Sequence, residues 1–132
     1  MGDPMLDIMK PVQPHSPLPG WHVGTCVNTT ADLKDNLLLT IFGVTGSAMH
    51  GELALAGVLG GGSPFQGTIT NDQVHFTTIV PTQQLVITWQ GIISGTALSG
   101  TYVVRYDSPD ITLAQRQQQG IWSSKLVRLM AN

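Results

Sequence analysis

Two side chains able to exchange a proton lie close together in the chain: His50 and Glu52, the latter the only glutamate present. Two positions apart on a strand, they share a face. There they serve either as an acid–base pair or as an ordinary polar contact. Cys26 and His22 are four residues apart, about 13 Å along a strand, which is too far for a thiolate–imidazole couple. Cys26 therefore reads as a small core or edge residue. The other histidines, His15 and His75, stand in no short metal-ligand spacing with His22 or His50, so no metal site is read. Gly60-Gly61-Gly62 lacks the Lys-Ser or Lys-Thr of a phosphate loop, and no Gly-x-Ser-x-Gly elbow occurs. No catalytic residue and no cofactor are assigned. What remains is a set of large side chains, Trp89, Tyr102, Trp122, Phe76 and Met49. They suit either the wall of an apolar pocket or a simply filled core.

These side chains must be positioned by a single small domain, since 132 residues are too few for two good cores. Charged residues are only 11% of the chain, where about 25% is usual. Much of the surface is therefore uncharged or covered by a partner, and a homo-oligomer is expected. The formal charge is −2, with Lys10, Lys34, Arg105, Arg116, Lys125 and Arg128 dispersed. That distribution excludes the clustered cations of a nucleic-acid binder. A lone cysteine cannot form an intrachain disulfide. No apolar run is long enough to span a bilayer and no secretory leader is read at Met1-Gly2-Asp3-Pro4. A soluble, cytoplasmic protein with no membrane partner is expected. The Asn28-Thr29-Thr30 triplet fits a glycosylation acceptor, which has meaning only under secretion.

Along the chain, residues 1–20 carry Pro4, Pro11, Pro14, Pro17 and Pro19 and read as an extended N-terminal arm. The domain proper spans 21–132. Trp21, Val23, Thr25 and Val27 alternate and place one face of a first strand. Residues 29–36 read as a turn with room for one helical turn. Leu37–Val44 is apolar on both parities, as for a strand buried on both faces, and Met49–Ala56 follows as a third strand. Phe65–Thr70 and Gln73–Val80 flank Asn71-Asp72 as a hairpin. Leu85–Ile93 and Leu98–Tyr106 form another around Ser94-Gly95-Thr96. Ser108-Pro109-Asp110 followed by Ile111–Gln119 and Gly120 carries the signals of one short helix. Ile121–Met130 closes the chain as a last strand. Gly67, Gly91 and Gly100 each precede a β-forming run, and glycine there lets a sheet bend or admits a large neighbour. The fold class read is all-β: an antiparallel up-and-down meander of about eight strands closed into a barrel, with one short helix before the last strand.

Three stretches carry a family resemblance. Gly20-Trp21, Ser99-Gly100-Thr101-Tyr102 and Trp122-Ser123-Ser124-Lys125-Leu126-Val127 resemble strand elements of the calycin superfamily of eight-stranded barrels, its avidin branch more than its lipocalins. The resemblance implies that Trp21 closes the barrel floor against a basic residue of the last strand, Lys125 or Arg128. The residue between glycine and tryptophan in the calycin Gly-x-Trp element is missing here. Biotin binding is not carried over, because the avidin branch's full polar and aromatic ligand set is not placed on these positions.

The reading that joins these threads is a non-catalytic domain taking a small, largely apolar ligand into the barrel near Trp89, Tyr102 and Trp122, with Phe76 and Met49 beside them. An oligomeric structural module with a filled core is the alternative. An enzyme using His50 and Glu52 is a third.

Overall fold

The computed structural model describes residues 19–56, 62–80, 84–106 and 117–129. Among these lie eight strands: β1 (Gly20–Asn28), β2 (Leu33–Thr45), β3 (Ala48–Leu55), β4 (Gly62–Thr70), β5 (Gln73–Val80), β6 (Leu85–Ser94), β7 (Ala97–Tyr106) and β8 (Gln118–Leu129). Each pairs antiparallel with the next, and β8 returns to pair with β1, so the sheet is a closed barrel. The fold class expected from the sequence is the one observed.

Alternation decides which side chains meet inside. In β6, Leu85, Ile87, Trp89, Gly91 and Ile93 are buried while the residues between them face outward, as a period of two demands. Tight turns set the register at one end of the barrel. Gly46-Ser47, Asn71-Asp72 and Gly95-Thr96 join β2–β3, β4–β5 and β6–β7, and Gly46, Asn71 and Gly95 sit at φ 61°, 58° and 62°. That left-handed geometry suits glycine and asparagine.

Five inward aromatic rings fill the middle of the barrel. Phe65 and Phe76 lie 4.4 Å apart between centroids, and Phe76 stacks on Trp89 at 5.9 Å. Trp122 meets Trp89 edge-on at 5.9 Å, and Tyr102 lies over Trp89 at 4.8 Å. Rings of this size fit because inward glycines stand beside them: Gly51 opposite Phe65, Gly67 opposite Phe76, Gly100 opposite Trp122 and Gly120 opposite Tyr102. A Cβ at Gly67 would come within 2.7 Å of the Phe76 Cβ. The glycines heading β-runs in the sequence thus make room for aromatic neighbours across the ladder.

Several sequence expectations are corrected. The first turn is narrower than residues 29–36, because Leu33–Asn36 already belong to β2. The Leu37–Val44 segment is not buried on both faces: Leu37, Leu39 and Ile41 point inward, while Leu38 and Phe42 are 39% and 49% exposed. An apolar residue on the outer parity carries no information about burial when the outer surface is itself weakly charged. Trp21, Val23, Thr25 and Val27 share a face, but it is the outer one; His22 and Cys26 are buried instead. The short helix over Ile111–Gln119 is not borne out. Gln117 is irregular and Gln118 and Gln119 open β8, where they pair with Val104 and Val103, and no helix occurs among the described residues. Residues 107–116, the proline-rich arm up to residue 18, and Gly60-Gly61 lie outside the described residues.

Candidate functional site

At the end opposite the tight turns the described residues leave part of the barrel interior unfilled. Here lies a cavity of about 270 Å³, just below the ~300–1,000 Å³ range of ligand pockets. Its floor is Trp89 with Tyr102, and its apolar walls are Leu55 of β3, Leu85 and Ile87 of β6 and Val104 of β7. Polar side chains ring the upper wall: Cys26 and Asn28 of β1, Asp35 of β2 and Gln118 of β8, with Leu33, Lys34 and Tyr106 at the rim.

The floor is fixed by hydrogen bonds. The Trp89 indole, fully buried, donates from Nε1 to Oγ1 of buried Thr78 at 3.0 Å. Beneath it, the Trp122 indole donates to the backbone carbonyls of Gln90 and Thr101 at 3.0 and 3.2 Å. No indole N–H of the aromatic layer is left unpaired, as burial requires.

The upper wall is pre-arranged too. Asn28 accepts from the Thr30 and Ala31 amides at 3.0 and 2.9 Å, and its Nδ2 donates to Gln118 Oε1 at 2.6 Å. The same turn is strapped to β8: the Thr29 amide donates to the Gln119 carbonyl at 2.8 Å, and the Gln119 amide donates to Thr30 Oγ1 at 2.9 Å. One asparagine thus ties a strand end, a turn and the first residue of the closing strand together.

Cys26 faces inward directly opposite Asp35 across the β1–β2 ladder, and its thiol and the Tyr102 hydroxyl are hydrogen-bonded to each other. Burial and then the Asp35 charge push the Cys26 thiol above its ordinary value, against a smaller opposing effect of the Tyr102 hydroxyl. Burial, followed by Cys26 and Asp35, pushes the Tyr102 phenol well above its own. Both groups are therefore neutral at physiological pH, and Cys26 is no ready nucleophile.

Of the residues expected to line the barrel, Trp89 and Tyr102 border this cavity; Phe76, Trp122 and Met49 are buried in the filled layers below it. His50 and Glu52 do share a face, but both are exposed on the outside of β3, remote from the cavity, with the His50 ring 6.1 Å from Phe42. Trp21 and Arg128 pair across β1–β8, the guanidinium 5.7 Å from the indole centroid. That contact lies on the outer surface, and it is His22 that points inward at the same level. Lys125 is exposed opposite Val23 and Ala97. The sequence reading missed Cys26, Asn28, Asp35, Leu55, Leu85, Ile87, Val104 and Gln118 as wall residues. Counting by two from Trp89 and Tyr102 finds Leu85, Ile87 and Val104; the others depend on register between strands. Among the described residues no cluster of three or more potential ligands could hold a metal, and no helix is long and apolar enough to cross a membrane.

A second feature lies outside the barrel. Thr25 and Val27 of β1, Ser99 and Thr101 of β7, and Ile121 and Ser123 of β8 form a shallow uncharged groove.

No family model and no curated protein matches the chain. Solved structures do. The bradavidin2–biotin complex superposes with a TM-score of 0.65 at 16% identity, covering 86% of this chain and 100% of that one. EF1p2_mFAP2b bound to DFHBI gives 0.66 at 14% identity over 83% and 94%. Apo intact afifavidin gives 0.59 at 19% identity over 83% and 84%. The chain therefore has the eight-stranded calycin-type barrel fold of avidin-like proteins, as the strand resemblances implied.

Proposed function

We propose that this chain is a non-catalytic binding domain that takes a small, largely apolar ligand into the open end of its barrel. The observation that carries the reading is the unfilled 270 Å³ space above a fully packed aromatic floor. A barrel of about eight strands is just wide enough for side chains to fill it or for one small ligand, and this one does the first below Trp89 and leaves room for the second above. Bradavidin2 and short afifavidin are solved with biotin and EF1p2_mFAP2b with DFHBI. Those complexes support a barrel of this kind as a ligand holder; biotin itself enters as one probe among several.

The test is titration of a neutral apolar dye, N-phenyl-1-naphthylamine, followed by its emission and by quenching of tryptophan. Saturable uptake of one dye per chain is expected, lost in Val104→Trp, whose added ring occupies the space, while the circular dichroism spectrum is retained. A chain that takes up no dye, or a variant that takes it up equally well, refutes the reading.

A second reading, self-association, is favoured by the groove across β7, β8 and β1, whose lining carries no charge and includes Ile121 at 53% exposure, with Val23 and Val127 beyond it at 48% and 62% and Lys125 between them. Faces of this composition pack well against copies of themselves. Light scattering decides it: an oligomer that reverts to monomer on Ser123→Arg supports it, and a monomer at high concentration removes it.

A further inference from the structure

Taking the mouth as a ligand site, we infer that Gln118 is its specificity-determining residue. Asn28 holds the oxygen of the Gln118 carboxamide and leaves the NH2 over, so the mouth selects neutral ligands that carry a hydrogen-bond-accepting carbonyl oxygen on a compact apolar body.

The orientation is set from the backbone outward. A backbone amide can only donate, and the amides of Thr30 and Ala31 both donate to the same end of the Asn28 side chain, at 3.0 and 2.9 Å. That end is therefore the oxygen, and the other is Nδ2, which can only donate. Nδ2 lies 2.6 Å from the Gln118 side chain, so the Gln118 atom that receives it is the oxygen Oε1. Turning the Gln118 amide over would set two donors face to face. What remains is the Gln118 NH2, which has no acceptor among the described residues and is not one of the buried atoms lacking a partner, so solvent reaches it. Asn28 shares the inward parity of Cys26, Gln118 that of Gly120 and Trp122, and both carboxamides line the cavity. The bonds from the Thr29 amide to the Gln119 carbonyl and from the Gln119 amide to Thr30 Oγ1 keep the turn and the start of β8 side by side. The other uncharged polar groups of the lining do not oppose this bias. Cys26 and Tyr102 are hydrogen-bonded to each other, and the Tyr106 hydroxyl serves as donor or acceptor alike. A carbonyl oxygen entering the mouth takes the place of water on the Gln118 NH2, in a partly dehydrated cleft that strengthens the bond. A ligand that can only donate leaves that NH2 unmatched.

Three bicyclic probes of one size test this by displacement of N-phenyl-1-naphthylamine: 1-indanone, which accepts and cannot donate, indole, which donates from its N–H, and indane, which does neither. All three are uncharged, so the ionisation of Asp35 and Lys34 does not enter the comparison. In the unaltered protein 1-indanone is expected to bind about threefold to tenfold tighter than indole. Gln118→Glu keeps an oxygen for the Asn28 donor and has no N–H of its own; Asn28→Asp keeps an acceptor for the two amides and frees the Gln118 amide to turn its oxygen outward. In each variant the order of ketone and indole should reverse, while indane, which touches neither function, keeps its affinity within about twofold. The ranking in the unaltered protein decides the matter even if both variants fold poorly. Indole binding as tightly as 1-indanone, or a ketone preference that persists in folded Gln118→Glu, overturns the selectivity and leaves the ligand site standing. So does a protein that binds the dye and releases it to none of the three. If the dye itself does not bind, the ligand site is refuted and the selectivity with it.

Discussion

Thr78→Val should weaken the fold through a single hydrogen bond, and the size of the effect follows from the geometry. Thr78 is 1% exposed and Trp89 0%, and the indole N–H donates to the Thr78 hydroxyl at 3.0 Å. Valine keeps the shape of the side chain and removes the acceptor, leaving the N–H buried with no water to take its place. An orphaned buried donor costs about 1–3 kcal/mol, a substantial fraction of the roughly 5–15 kcal/mol that holds a domain together. Urea unfolding followed by circular dichroism should show the midpoint moving down at constant slope, since the surface exposed on unfolding is unchanged. The decisive measurement is the cycle with Trp89→Phe. Phenylalanine has no N–H to strand, and the Thr78 hydroxyl then has lost its own partner, so Thr78→Val in that background should cost close to nothing or stabilise. A coupling of about 1–3 kcal/mol is expected between the two positions. Equal losses in both backgrounds would falsify the claim that this bond organises the cavity floor.

Other outcomes follow from the same structure. Cys26 and Tyr102 both hold their protons more tightly folded than unfolded, so the folded state binds more protons once the unfolded groups begin to ionise. Stability is therefore fully present below their ordinary values of 9.0 and 10.0 and falls as pH rises beyond them; urea midpoints between pH 8 and 11 should show this, with a shallower decline in Tyr102→Phe. Gly67→Ala should cost about 1–3 kcal/mol by overpacking, because the new Cβ would lie 2.7 Å from both the His75 carbonyl oxygen and the Phe76 Cβ. Gly46→Ala, which meets nothing within 4 Å but sits at φ 61°, should cost only about 1–2 kcal/mol of backbone strain; thermal melts of the two variants separate packing from conformation. Asn28→Ala removes the acceptor for two amides and the bond to Gln118, so about 1–2 kcal/mol is expected, with faster hydrogen exchange confined to residues 29–31 and 118–119.

How much of this was legible in the sequence depends on which physical constraint wrote it. Hairpins at Asn71-Asp72 and Ser94-Gly95-Thr96 could be read because a two-residue reversal demands particular residues at particular positions. The closed barrel could be read because Gly67, Gly91 and Gly100 punctuate strands that would otherwise carry side chains inside. Inside and outside on β1 could not. Its more apolar parity, Trp21, Val23 and Val27, faces out, while His22 and Cys26 face in; when an outer surface is poor in charge, hydrophobicity no longer marks the core. Depth along the barrel was equally hidden. Alternation says that Phe76, Trp89 and Trp122 all point inward, but only register says that Trp89 borders the cavity and the other two do not. Asp35 was passed over for the same reason, since Asp and Asn in the 32–36 stretch look like turn residues until the ladder places Asp35 beside Cys26.

Connection length explains why the cavity is at one end. In an up-and-down barrel, successive connections alternate between the two ends, and here every two-residue turn falls on the same side: Gly46-Ser47, Asn71-Asp72 and Gly95-Thr96. Short turns draw strand ends together and leave no space between them, so side chains such as Leu39, Ile41 and Leu98 close that end. At the other end the strands are separated by four or more residues, 29–32, 56–61, 81–84 and 107–117, so the strand ends are not drawn together by two-residue turns. Glycines let five aromatic rings pack across the middle, which stops the filled region at Trp89. The position of the cavity is thus a consequence of where the chain uses two residues to turn and where it uses more, and shortening the β1–β2 turn by deleting Ala31 should distort the Asn28 and Asp35 wall before it disturbs Trp89. Weaker uptake of the apolar dye with an unchanged near-ultraviolet tryptophan signal is the expected signature of that deletion; collapse of the tryptophan signal would show that mouth and floor are one unit.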